Sequence, residues 1–356
     1  MTKLDPSEDS LLGPNAVAEI VSIDDQAVKE PSRKPKRGRF GLILKVVIWL
    51  LLLTIAAYVV IIVHNVAKIS TQPMSLSGLS GDSNGRVNIL ILGEGDAGHA
   101  GAGLTDTIMV MSFDPKTRQI AQISVPRDLR VNIPGYGYSK INAANAYGGV
   151  QLAEQTVSNT LGIPINYYIL TNFSGLKSIV DAVGGLDINV KTALIDPDYP
   201  CDDNQYKACG LNIAPGPQHM NGSQVLDYTR CRKGTCGNDF GRAARQQEVL
   251  GLLRQKVLRW QTLANPVQVK ALTEAMRTSL TTNLGAVQMA QLGWYWHRAQ
   301  IHPTIQLVLS TSPGGYLTSA SGSSDLLPAD GSFAAIQSRV INIFTVPTAS
   351  TDVPKT

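Results

Sequence analysis

Apolar residues recur along this chain with two different periods. Short β-branched and aliphatic runs read as strands: VNILIL (87–92), TIMVMSF (107–113), IAQISV (120–125), NYYIL (166–170), LDINV (186–190) and IQLVL (305–309). Between them, residues 149–161, 175–182, 242–257 and 267–279 place apolar side chains three and four apart, the spacing that builds one face of a helix. In the third of these Val249, Leu250, Leu253 and Val257 form the stripe, and Asn238 or Asp239 supplies the cap. Strands interleaved with amphipathic helices predict an α/β fold, a sheet covered on both faces. The span 87–344 is long enough to bury a sizeable core as one domain.

One apolar segment is of another kind. VVIWLLLLTIAAYVVIIV (46–63) carries no charge, and Phe40 to Leu44 extend it. A helix of ~20 apolar residues crosses a bilayer, so residues 40–64 are expected to be a transmembrane helix. RKPKRGR (33–39) precedes it, whereas only His64 and Lys68 stand on the other flank. The positive-inside rule then predicts a single-pass protein of the cell membrane, N-terminus cytoplasmic and large domain extracytoplasmic. A cleavable signal peptide is the competing reading, but the run exceeds the usual ~7–15 residue apolar region and no small-x-small site follows. RKPKRGR also suits anionic lipid or nucleic acid; beside a membrane helix, topology and lipid contact account for it. Residues 1–39 are expected to form a disordered cytoplasmic tail, 65–86 a Ser/Gly linker, and 345–356 a flexible C-terminal tail.

Charge and cysteines narrow the partners. A net charge of +4 over 356 residues is too small for a nucleic-acid binder, so no nucleic acid is expected. All four cysteines fall on the predicted outer side, Cys201 near Cys209 and Cys231 near Cys236, which predicts two local disulfides. A zinc site is the rival; it lacks C-x-x-C spacing, and His219 is the only histidine near these pairs.

The glycine-rich stretch VNILILGEGDAGHAGAGLTDTIMV (87–110) contains a G-x-G-x-x-G at Gly93, Gly95 and Gly98. A dinucleotide site needs a helix to start at the third glycine, and HAGAGLTDT followed by TIMVMSF offers a loop and a strand instead. No nicotinamide or flavin cofactor is expected. Nor is a Ser/His/Asp hydrolase, since there is no G-x-S-x-G and His99 lies in that loop. The charged candidates lie elsewhere. Arg127, Asp128 and Arg130 follow a strand end, with Lys140, Asn142 and Asn145 after a Pro/Gly turn. Arg230, Arg232, Lys233, Arg242 and Arg245 crowd a helix start, where the macrodipole opposes cations unless an anion joins them. Guanidinium forks at a helix N-terminus suit a pyrophosphate; a solvated basic face is the alternative.

In order along the chain stand NILILG, TDTIMVMSFDPKT, ISVPRDLRVNIPGYGYSKINAANAYGG, LGIPINYYI, VDAVGGLDINV, MNGSQVLDYTRCR and DFGRAARQQEVL. From Val87 to about Leu258 the chain resembles the LytR-CpsA-Psr family, with a looser match after about Pro266. The resemblance implies an α-β-α sandwich with a central mixed β-sheet and an apolar tunnel for a lipid tail. It implies a phosphotransferase moving a glycopolymer from an undecaprenyl-pyrophosphate carrier to a hydroxyl of peptidoglycan, with Mg²⁺ (or Mn²⁺) as cofactor. The partners implied are a polyprenyl-pyrophosphate-linked glycan, peptidoglycan and the membrane. By motif, Arg127, Arg230, Arg232 and Arg242 hold the pyrophosphate, with Arg245, Gln246 and Lys140 as further candidates. Asp106 of TDT matches the metal-binding and catalytic aspartate, with Arg127 beside it in the chemistry. The second metal carboxylate falls in the altered loop, at Glu94 or Asp96. Leu104 stands where members often have arginine. Asp128 either pairs with a neighbouring arginine or takes part in the chemistry. The alternatives are a pyrophosphatase acting on lipid-linked glycan and a non-catalytic polyprenyl-phosphate-binding regulator.

Overall fold

A computed structural model describes residues 78–81, 85–96, 103–201, 207–299 and 303–345, with scattered positions between 48 and 64. The expected cytoplasmic tail, most of the membrane span and the end of the chain from residue 346 lie outside the described residues. Among those described, no helix is long and apolar enough to cross a membrane. Two compact units divide at Ile55, and the second, Ala56–Thr356, contains the folded domain.

In chain order the domain begins with β1 (Val87–Glu94), β2 (Thr105–Asp114), β3 (Gln119–Ser124), β4 (Arg130–Ile133), β5 (Gly137–Lys140) and α1 (Ala143–Leu161). Next come β6 (Tyr167–Asn172), α2 (Phe173–Ala182), β7 (Leu186–Val190), β8 (Leu194–Asp196), β9 (Leu211–Ile213), β10 (Gly216–Met220) and α3 (Gly222–Arg230). The chain continues through α4 (Asp239–Val257), α5 (Trp260–Leu263), α6 (Pro266–Ser279), β11 (Leu280–Thr282), α7 (Ala286–Ala299) and β12 (Ile305–Val308). A hairpin of β13 (Leu317–Ser319) and β14 (Leu326–Pro328) precedes α8 (Ala334–Ile341).

Six strands form the main sheet in the order β11–β6–β1–β2–β3–β12. Pairs β1/β6 and β3/β12 are parallel and the others antiparallel, so the sheet is mixed, as expected. Strand alternation divides its side chains between two cores. Leu90, Leu92, Ile108, Val110 and Ile123 pack with Ala153, Val157 and Leu161 of α1 and Ile336 and Val340 of α8. Val87, Ile89, Met111, Phe113 and Ile120 pack on the other side with Met289, Leu292 and Trp296 of α7. Helix, sheet and helix therefore stack as three layers. A third cluster joins β7, α3, α4 and α6 through Leu186, Ile188, Val225, Val249 and Leu272. LDINV thus forms a strand outside the main sheet, in a ribbon with β10.

Helix α1 is broken near its start. Gly148 and Gly149 leave helical geometry, Gly149 at φ +67°, a left-handed setting that glycine adopts without steric cost. The break separates a first turn, which buries Ala143 and Ala144 and carries Asn145, from the long remainder of the helix. Described parts of the linker are docked: Leu79 N donates to Gln291 Oε1 and Ser80 N to the Tyr167 hydroxyl. Buried Arg86 donates to Asn88, Ser112 and the Val340 carbonyl, tying the entry of β1 to α8.

Candidate active site

The site begins with an irregularity in the β1–β2 ladder. Gly93 pairs with Thr107, but Glu94 pairs with Thr105, so Asp106 is bypassed. A bulged residue has no partner and its side chain is re-aimed. The segment leaving β3 brings Arg127 to meet it, Nη1 donating to Asp106 Oδ1 at 2.5 Å, with the two side chains 22% and 35% exposed. Backbone bonds fix the pair from below: Asn142 N donates to Arg127 O, and Thr105 N to Asn142 O.

Facing them is a basic wall. A cleft of about 290 Å³ is lined by Asp106, Arg127, Phe173, Asp196, Asp198, Tyr199, Pro200, Arg230, Arg232, Lys233 and Arg242. Five cations against three carboxylates leave the lining with an excess of positive charge. Arg230 lies over the Phe173 ring at 4.5 Å and the Tyr199 ring at 5.6 Å, which immobilises a long side chain while its edge stays polar. Buried Arg242 reaches back from α4, Nη2 donating to Asp106 O at 3.4 Å.

The loop between α3 and α4 carries this wall and is held from several directions. Both expected disulfides are present, Cys201–Cys209 and Cys231–Cys236, with Cα separations of 5.0 and 5.7 Å. Among the described residues, the only cluster of three potential metal ligands is Asp196 with Cys231 and Cys236, whose sulfurs are joined to each other; the zinc alternative falls. Buried Asp196 accepts the backbone N–H groups of Arg232 and Lys233. Gly234 has φ +58°, and a Cβ there would run into the Ile195 carbonyl. Asn238, of the two expected caps, accepts from Phe240 N and Gly241 N.

Not every predicted ligand faces the cleft. Arg245 is buried beneath the loop, donating to the carbonyls of Tyr228 and Cys236 at 2.8 Å and to that of Cys231. It holds the arginine wall in place instead of belonging to it, because the carbonyls of the folded loop close over it on the same helix that carries Arg242. Lys140 is likewise outside the lining, its Nζ at 2.6 Å from Asp128 Oδ1 and 2.7 Å from Ser324 Oγ. Asp128 also lies 3.6 Å from Arg127 Nε, the pairing with a neighbouring arginine that was one of its two expected roles. Gln246 lines a small adjoining pocket with Asp106, Arg127 and Arg242. Leu104 packs against the first core cluster and brings no polar group to the site. Phe173, Asp198 and Tyr199 were not expected here. They come from two separate segments, the start of α2 and the loop after β8, and no local pattern marks them. The apolar walls of the cleft are Phe173, Tyr199 and Pro200.

The two candidates for the second carboxylate differ sharply. Asp96 is engaged, accepting from Ser174 N at 3.1 Å and Ser174 Oγ at 2.7 Å at the start of α2. Glu94 sits beside the bulge, and burial raises its carboxyl above the ordinary range, against a smaller opposing effect of Asn145 Nδ2 donating at 3.1 Å. A desolvated carboxylate with a neutral amide partner is one that a divalent cation would neutralise. Asp106 and Glu94 are thus the pair that could hold Mg²⁺ or Mn²⁺, with Asp96, already bonded to Ser174, as the alternative to Glu94.

β1 and β2 are antiparallel neighbours, not the parallel pair that a dinucleotide-binding βαβ unit joins. Similarity to known proteins agrees with this geometry. Among sequence relatives, a polyisoprenyl-teichoic acid–peptidoglycan teichoic acid transferase TagU of Bacillus mycoides (strain KBAB4) is 38% identical over 204 residues, 57% of this chain and 62% of the relative. The TagU of Enterococcus faecalis (strain ATCC 700802 / V583) is 35% identical over 198 residues, 54% of this chain and 61% of the relative. The matched stretch thus spans less than two thirds of these relatives. Among solved structures, B. subtilis TagV has a TM-score of 0.59 at 25% identity, covering 74% of this chain and 98% of that one. TagT bound to LI-WTA gives 0.57 at 25% identity, over 77% and 97%. The LytR_cpsA_psr family model matches residues 59–313. That match takes in the whole main sheet and both walls of the cleft, and the chain belongs to the LytR-CpsA-Psr family.

Proposed function

We propose that this protein is a membrane-anchored phosphotransferase that moves a glycopolymer from an undecaprenyl-pyrophosphate carrier to a hydroxyl of peptidoglycan. The observation that carries the reading is the Asp106–Arg127 pair set against a wall of Arg230, Arg232 and Arg242 in one cleft. Relatives named as teichoic acid–peptidoglycan transferases support the reaction class. Guanidinium groups on two sides hold the pyrophosphate by charge-assisted hydrogen bonds and neutralise its oxygens. The acceptor oxygen bonds to the glycan-proximal phosphorus as the bond to the bridging oxygen breaks. Polyprenyl phosphate leaves with that oxygen, and the acceptor proton passes to the Asp106 carboxylate at the same end of the cleft. Positioning and charge neutralisation carry most of the catalysis in such transfers. Asp106 and Glu94 would hold Mg²⁺ or Mn²⁺, which when bound polarises the phosphate oxygens.

The topology belongs to the same reading: N-terminus cytoplasmic, cleft extracytoplasmic. It is supported by RKPKRGR ahead of the apolar span and by two disulfides, which persist in oxidising compartments. The test uses full-length protein in detergent, a labelled lipid-pyrophosphate glycan and purified peptidoglycan. Labelled glycan on peptidoglycan, with equimolar polyprenyl phosphate, is expected. Equal release of free phosphoglycan with and without peptidoglycan would replace the transferase by a pyrophosphatase. Binding without turnover would make it a regulator.

A further inference from the structure

The hairpin β4–β5 and the first turn of α1 carry three tyrosines that the cleft does not use. Tyr138 is 72% exposed, Tyr136 56% and Tyr147 45%. Tyr136 and Tyr147 stack with ring centroids 4.9 Å apart and planes 19° apart, and the Tyr136 hydroxyl donates to the Tyr147 carbonyl. This stack joins the hairpin tip to the short turn ahead of Gly148, so the rings are held in one orientation while standing in water. Strand alternation puts Tyr138 on the outer face of the hairpin with Asn132, Arg130 and Lys140, because Val131 and Ile133 fill the core beneath. Arg130 and Lys140 share Asp325, Arg130 at 2.8 Å and Lys140 at 3.9 Å, which fixes two cations on that face.

We propose that this tyrosine platform binds the glycan strand of the acceptor peptidoglycan and delivers it to the Asp106 end of the cleft; the proposal rests on the transferase reading. A pyranose ring presents a flat face of C–H bonds, which stacks on an aromatic ring, and a rim of hydroxyl and amide groups. The platform offers the matching halves: tyrosine faces, an exposed Asn132 amide, and cations suited to the carboxylates of the attached peptides. Tyrosines supply such contact area at low entropic cost, and exposed aromatic patches of this kind mark binding surfaces. The interleaved charges make the face unlike an apolar self-association surface. Its position fits delivery. Asn142, two residues beyond β5, bonds through its backbone to both Arg127 and Thr105, the residues flanking the site.

The test compares full-length protein with Tyr136→Ala/Tyr138→Ala and with Tyr138→Phe, in co-sedimentation with purified sacculi and in transfer at varied peptidoglycan concentration. Thermal melting and binding of inorganic pyrophosphate report whether the fold and cleft survive the substitutions. The double variant should bind sacculi about tenfold more weakly and raise the acceptor KM similarly, two aromatic contacts being lost. Tyr138→Phe, which keeps the ring face, should retain most of both. Unchanged sacculus binding and acceptor KM in the double variant would overturn the platform while leaving the transferase reading intact. Tyrosine-dependent sacculus binding by a protein that transfers nothing would keep the platform and overturn the transferase. A change confined to self-association by light scattering, or to partition into lipid vesicles, would assign the patch to a second copy or to the membrane and refute the proposal.

Discussion

Replacing Arg245 with alanine separates a ligand from a scaffold more cleanly than any other change in the basic cluster. The Arg245 guanidinium donates to three carbonyls, of Tyr228, Cys231 and Cys236, all in buried surroundings. Hydrogen bonds to a charged group are worth about 1.5–3 kcal/mol each, and a buried acceptor left unsatisfied costs about 1–3 kcal/mol. Such contributions are not additive, and the Cys231–Cys236 bridge limits how far the loop can relax, so the loss should be about 3–5 kcal/mol. In a domain of this size each kcal/mol moves the midpoint by roughly 2–4 °C, so Tm should fall by about 6–20 °C. The assay is thermal unfolding of the full chain in detergent, paired with binding of a short-chain polyprenyl pyrophosphate at a temperature where the variant is folded. Binding should weaken only modestly, because Arg230, Arg232 and Arg242 are still present. Arg245→Lys should recover little stability, since an ammonium cannot reach three carbonyls as a planar fork does. A variant that melts with the parent yet loses pyrophosphate binding more than tenfold would refute the scaffold role.

Asp106→Ala should abolish transfer while pyrophosphate binding persists; transfer at the parental rate would remove Asp106 from the chemistry. Arg230→Ala should weaken donor binding by about 1.5–3 kcal/mol, with partial rescue by lysine, measured by titration with the lipid pyrophosphate. Selective loss of the Cys231–Cys236 bridge by Cys231→Ser/Cys236→Ser should cost about 2 kcal/mol and loosen Arg232 and Lys233, lowering both Tm and affinity. Burial pushes the Glu154 carboxyl up to about 7 from its ordinary 4.5. A raised acid is protonated in the fold and ionised in the unfolded chain between those values, so its contribution to stability falls as pH rises through that window. Glu154→Gln should therefore stabilise by about 1 kcal/mol at pH 8, after discounting for partial exposure, and have little effect at pH 4; an equal shift at both would refute this.

Much of the sheet is legible in the sequence because its strands alternate strictly. VNILIL sends Leu90 and Leu92 to one core and Ile89 and Ile91 to the other. Ribbons such as β4–β5 and β13–β14 are too short for a period to emerge. Helix α7 departs from a simple stripe because Trp294 stays exposed while its neighbour Tyr295 packs on Phe113. The arginine cluster is visible as a local excess of charge, but the division of labour within it is not. Arg242 and Arg245 lie three apart on one helix, and only the tertiary position of the loop sends one to the cleft and the other beneath it. Glu94 and Asp96 pose the same difficulty: Ser174, far along the chain, engages one of them.

The slip in register at Asp106 has a consequence for how this protein can diverge. Residues 95–104 join two strands at the end where the ladder closes on one shifted pair, Glu94 with Thr105, so their number does not set the register of the sheet. Changes in the length of that connection leave the register unaltered. One residue removed at Thr105 or Thr107 has the opposite effect. It erases the slip, restores an unbroken ladder and returns the aspartate to a paired position, while the core residues from Ile108 onward keep their places. A single deletion is thus enough to disarm the proposed site while leaving the fold in place.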